Sequence, residues 1–171
     1  MPFLLYLIPF AIIATILAAI PAPPTPAASD HEAFAVAIAL TEAHQAALTY
    51  AAKLPAATGP IPSTGSPSLT TYLPPGWTAP NGITIAACIG SQAEHRAVAT
   101  WTTTTTPPPS RVAQALAAQS GNTSDAGQIN VHPTIPAQVV PLAATTTYIF
   151  PSTSCPMPTT TSAVLVTHTL P

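Results

Sequence analysis

The chain has 171 residues, enough for one domain beyond any targeting segment, since domains typically run about 100–150 residues. Hydrophobic residues make up 47% and charged residues only 5%, against roughly 25% in ordinary soluble domains, so Ser, Thr, Asn and Gln must keep the surface wet. With 3 basic and 5 acidic side chains and a net charge of −2, the chain has no electrostatic footprint for a phosphate backbone, which excludes nucleic acid as a partner.

Residues 3–20 carry no charge, and 18 positions at ~1.5 Å each would cross most of a ~30 Å hydrocarbon core. The segment reads as a transmembrane anchor or a signal peptide. No Lys or Arg precedes it and prolines crowd the positions after Ile20, which favours the anchor; cleavage after Ala27 or Ala28 would instead secrete the chain. Asp30 and Glu32 beyond it place the N-terminus inside.

After a Pro-rich spacer, 21–28, Ser29-Asp30-His31-Glu32 has the capping-box pattern and predicts a helix start. Val36, Leu40, Ala43, Ala47, Tyr50 and Leu54 then fall at spacings of 4, 3, 4, 3 and 4, so they line one packing face. Pro55 and the Gly59-Pro60 pair end a helix of roughly 36 Å. β-Branched and aromatic content predicts strands at 70–73, 82–89 and 97–105. The prolines at 107–109 break the sheet, and Ser110 caps a short helix through Val112, Ala115, Leu116 and Gln119 that stops at Gly121-Asn122. Further strands are expected at 139–142, 145–150 and 163–169, with a loop at 151–158 carrying Cys155. The expected fold class is α+β: an N-terminal membrane helix, then a long amphipathic helix packed on a small, mainly antiparallel sheet.

The two cysteines, Cys88 and Cys155, are a disulfide candidate if the domain faces an oxidising compartment; two buried free thiols are the alternative. His31, His44, His95, His132 and His168 show no spacing that puts two ligands on one metal. A Cys88/His95/Cys155/His168 zinc set can be drawn, but a disulfide and two surface histidines are the better reading, and no metal or cofactor is expected. Glu94-His95-Arg96, the one dense ionic cluster, reads as a solvated turn rather than an acid–base site. No G-x-S-x-G elbow or glycine-rich phosphate loop is present, so no catalytic residue, small-molecule substrate or enzymatic activity is expected. Thr102–Thr106 reads as the end of a strand running into a linker, and Asn122-Thr123-Ser124 is a glycosylation triplet that matters only in a eukaryotic secretory setting.

The order of features resembles the PilM family of small type IV pilus biogenesis proteins, found in conjugative-plasmid and related type IVb pilus clusters. The likeness is carried by the apolar N-terminus, Ala47-x-x-Tyr50-Ala51, Thr58-Gly59-Pro60-Ile61-Pro62, a Leu73-to-Trp77 turn, an Asn-Gly before a strand, and Ile135-Pro136-Ala137-x-Val139-Val140. The likeness runs from about Phe34 to Leu142 and agrees with the pilin-like plan read from the residues: anchor 1–20, spacer 21–28 and an extracytoplasmic domain 29–142; the proline spacer and a Thr/Pro-rich, strand-forming C-terminal extension 143–171 depart from the family's pattern. The resemblance implies a single-pass protein of a bacterial inner membrane, with its domain in the periplasm, whose partners are pilin subunits or other pilus assembly proteins. The glycine before the apolar segment and the glutamate five residues into it that mark a cleaved pilin are not in this sequence, which points to an accessory protein. The alternative is a secreted or surface Thr/Pro-rich adhesive protein.

Overall fold

A computed structural model of the chain describes residues 28–168 apart from 81, 104–105, 121–125, 133–134, 142–147, 150, 152 and 157. The expected anchor at 3–20, nearly all of the spacer, the helix stop at Gly121-Asn122 and the glycosylation triplet lie outside the described residues.

The long helix, α1, runs over Ala28–Lys53, about 39 Å at the standard rise. It takes in Ser29, so the expected capping residue lies inside the helix by one position. Its inner face is the expected one: Val36, Leu40, Ala43, Ala47 and Tyr50 are buried, and Leu54, just past the last turn, is partly buried in the same cluster. A second helix, α2 (Pro109–Ser120), opens with proline at its first position, where a missing N–H costs nothing, and Pro108 O accepts from the amides of Arg111 and Val112. Ser110 is therefore in the first turn and not the cap.

Seven strands form one antiparallel sheet: β1 (Gly59–Pro60), β2 (Ile85–Ile89), β3 (Ala97–Thr102), β4 (Ala126–His132), β5 (Ile135–Pro141), β6 (Tyr148–Ile149) and β7 (Ser162–His168), in the order β1-β2-β3-β7-β4-β5-β6. The fold is thus α+β, a long helix on an antiparallel sheet. No described helix is long and apolar enough to cross a membrane.

Two expectations are corrected. The segment 70–73 is not a strand; Leu69–Thr71 forms a 3-10 turn, because the buried Ser68 draws the chain round itself, its hydroxyl bonding Thr70 Oγ1 at 2.8 Å and its amide donating to Thr71 Oγ1 at 3.2 Å. Nor is 143–171 an appendage to a domain ending at 142. Its strand β7 lies at the centre of the sheet, pairing with β3 from Ala97↔His168 to Trp101↔Val164 and with β4 from Ala126↔Leu165 to Ile129↔Ser162. The physical reason is legible in its residues: Ala163-Val164-Leu165-Val166 is a continuous apolar run, buried throughout, as a strand covered on both faces requires.

Alternation sorts the sheet residues. Val98 and Thr100 of β3 face α1, while Ala97, Ala99 and Trp101 face a second core shared with Ile129, Val164 and Val166. Into this second core project Cys88 of β2 and Cys155, joined in a disulfide with Cα atoms 5.8 Å apart and 67 residues apart in sequence. The bond ties β2 to the loop that delivers the central strand β7. Closing so long a loop stabilises by about 4 kcal/mol in the chain-entropy account. The variant Cys88→Ala/Cys155→Ala is expected to lose roughly 2–4 kcal/mol, read as a lowered urea midpoint with a steeper slope, because the unfolded chain without the crosslink exposes more surface; a midpoint within experimental error of the parent would contradict this.

Candidate functional site

Three of the described buried polar side chains, His44, Thr100 and Arg96, lie where α1 meets the sheet and its loops. His44, 4% exposed, sits on the inner face of α1 one turn from Leu40 and Ala47. Its Nδ1 is 3.1 Å from Thr100 Oγ1 on β3, and its Nε2 is 2.8 Å from Thr167 Oγ1 on β7. A neutral imidazole has one donor and one acceptor nitrogen, and two hydroxyls that each can give or take a proton match it in either tautomer. Burial pushes the imidazole from its ordinary 6.5 down to about 4. His44 is therefore a neutral bolt between helix and sheet.

Arg96 closes the other end of α1. It is 7% exposed, and its guanidinium donates to Pro55 O and, at 3.4 Å each, to the carbonyls of Ala51, Leu54 and Ala57. Ala51 belongs to the last turn of α1, whose carbonyls lack intrahelical donors, and Leu54, Pro55 and Ala57 lie just beyond it, where a cation also meets the negative end of the helix dipole. Reaching them requires an unusual backbone: His95 at φ 53° and Arg96 at φ 47° are both left-handed.

The tight turn has its own brace. Glu94 ends a 3-10 turn, Gln92–Glu94, and its Oε2 accepts from Ser91 N at 2.7 Å and Ser91 Oγ at 2.9 Å, while Oε1 accepts from Thr153 N at 3.0 Å. Burial alone would raise this carboxyl, but hydrogen bonds from Ser91, Ser154 and Thr153 outweigh it and hold its pKa below the ordinary value. Gly90 completes the clamp, since a Cβ there would stand 2.9 Å from Pro151 Cβ. Glu94-His95-Arg96 is thus no solvated turn: Arg96 caps the long helix, Glu94 fastens the loop that bears Cys155, and only His95 is exposed.

Cys88 and Cys155 are consumed by their bond, which rules out the zinc set that included them. Among the described residues, no group of three or more His, Cys, Asp or Glu could hold a metal. His31 is exposed on α1, and the side chains of His132 and His168 lie outside the description. The remaining predicted face, from Val36 to Leu54, is assembled as a packing surface, with the Tyr50 and Tyr72 rings edge to face at 6.0 Å. His44 and Arg96 were not anticipated in their structural roles. A histidine at an inward helical position carried a signal, because it lies four residues after Leu40 on the apolar stripe. Ser91-Gln92-Ala93-Glu94 likewise carries the hydroxyl-to-carboxylate spacing of a capped turn.

The His44 arrangement fixes an acid dependence. Above pH 6.5 the imidazole is neutral folded and unfolded, so it costs nothing; between 6.5 and about 4 the unfolded chain takes up a proton that the folded chain refuses. Stability is expected to fall through that window by about 1.4 kcal/mol per pH unit, roughly 3 kcal/mol in total. Denaturant unfolding at a series of pH values measures it, and His44→Gln should flatten the slope above pH 4.5. A parent chain equally stable at pH 7 and pH 4.5 would contradict the burial of a neutral His44.

No family model matches the chain, and neither a curated protein nor a solved structure matches it.

Proposed function

We propose that this chain is a non-enzymatic component of type IV pilus biogenesis, held in a bacterial inner membrane by residues 3–20 and acting through protein contacts of its domain outside the cytoplasm. The observation that carries the reading is a long helix lying along an antiparallel sheet that is tied by a disulfide, which agrees with the pilin-like plan read from the residues and with the sequence resemblance. The disulfide fits an oxidising compartment. The uncharged run at 3–20 fits a membrane anchor. The buried His44 and Arg96 and the part-buried Glu94 each hold elements together, which fits a protein that works by shape. A secreted adhesive protein shares the disulfide and differs in its mature N-terminus.

On this reading the full-length chain stays with membranes through an alkaline carbonate wash, and its mature form retains residues 3–20. Release of full-length chain, or a mature N-terminus near Ala28, would contradict the anchor. In a deletion strain of the pilus-bearing host, Leu40→Asp is expected to abolish pilus-dependent conjugation. The fully buried Leu40 would be replaced by an unpaired carboxylate costing several kcal/mol, against a total stability of about 5–15 kcal/mol. His95→Ala, at an exposed position, is expected to support conjugation at normal protein level. Undiminished conjugation in the deletion strain itself would remove the pilus assignment.

A further inference from the structure

Helix α1 leaves one apolar patch uncovered. Phe34 is 48% and Ile38 43% exposed, the large hydrophobics left exposed among the described residues. At a spacing of four they stand one above the other on the outer face. Further along, the outer side of the helix turns polar, through Glu42, Gln45, Thr49 and Lys53. A seam built for a second helix would stay apolar along its length. This one is apolar only in its first turns, at the end where the chain arrives from the uncharged run at 3–20.

The tether is short. Seven residues, 21–27, separate Ile20 from Ala28, at most about 25 Å of extended chain, and Phe34 lies only about 9 Å further along the helix axis. Charge does not stand in the way at this end. Asp30 is paired with Arg111, and Glu32 points roughly 140° round the helix from the patch. We propose that Phe34 and Ile38 rest in the headgroup and acyl boundary of the bilayer that holds residues 3–20, docking the first turns of α1 against the lipid surface. The inference rests on the membrane reading above.

The test uses the full-length chain in phosphatidylcholine vesicles, recovered by flotation. A spin label is placed at His31→Cys, beside the patch, or at Ala52→Cys, far along the same face; both sites are exposed, and the native cysteines are joined to each other. Collision with lipid-soluble oxygen and with an aqueous nickel chelate is then compared. Docking gives a label at 31 that favours oxygen and a label at 52 that favours nickel. Adding Phe34→Ser/Ile38→Ser, which leaves the core untouched, should turn the label at 31 to nickel. A chain that fails to float with vesicles defeats the anchor and the docking together. Three outcomes in a floating chain defeat the docking alone: a label at 31 as open to nickel as that at 52, one shielded from both probes by a second copy, or an oxygen preference that survives the double serine change.

Discussion

The structure depends on the close seating of an alanine-rich helix face on the sheet. Ala33, Ala37, Ala43, Ala46, Ala47 and Ala51 are all buried on α1, with Val36, Leu40 and Tyr50 among them. Side chains this small bring the helix backbone near the sheet and leave little room for water. A polar group placed in such a contact must find its partners within the contact itself, or its desolvation is uncompensated. His44 meets that condition through Thr100 and Thr167, one hydroxyl from each of two neighbouring strands. The same three side chains that satisfy one another also fix where the helix lies along the sheet, because a shift by a turn would strand all three.

The opposite face of the sheet is held differently. Its core is shared by Trp101, Ile129, Val164 and Val166 and is roofed by the loop bearing Cys155, whose described residues form neither helix nor strand. Three fasteners converge there: the disulfide, the Glu94 bond to Thr153 N, and the packing of Gly90 against Pro151. The turn that supplies Glu94 also supplies Arg96 to the end of α1 on the other side. A chain with only 5% charged residues has placed two of them, two positions apart, where they lock both layers to β2 and β3.

What the sequence disclosed follows from the kind of signal each element carries. The helix stripe was legible because apolar residues recur at helical spacing from Val36 to Leu54, and the cysteine pair because the chain has only two cysteines to join. The strands β2, β3 and β7 were legible through their branched and aromatic residues, but not their places in the sheet. Strand order is set by long-range pairing, which no local pattern records, so a segment expected as an appendage proved to be the middle strand. β4 was missed because Gly127, Gln128 and Asn130 dilute its β-forming content. The structural use of Glu94 and Arg96 was missed because a charged triplet, read alone, looks like surface, whereas its neighbours Ser91 and the helix carbonyls decide its role.

If the domain acts by presenting surfaces to partners, its helix and central strands must hold their relative positions as one body. This requires that α1, β3 and β7 open only together, since His44 and the shared apolar clusters couple them. Native-state hydrogen exchange of the full-length chain measures this directly. The account predicts that amides of Leu40, Ala47, Thr100 and Val164 exchange through a single global opening, with the same free energy and the same denaturant dependence. Exchange of the α1 amides through a separate, lower-energy opening while β3 and β7 stay protected would contradict it.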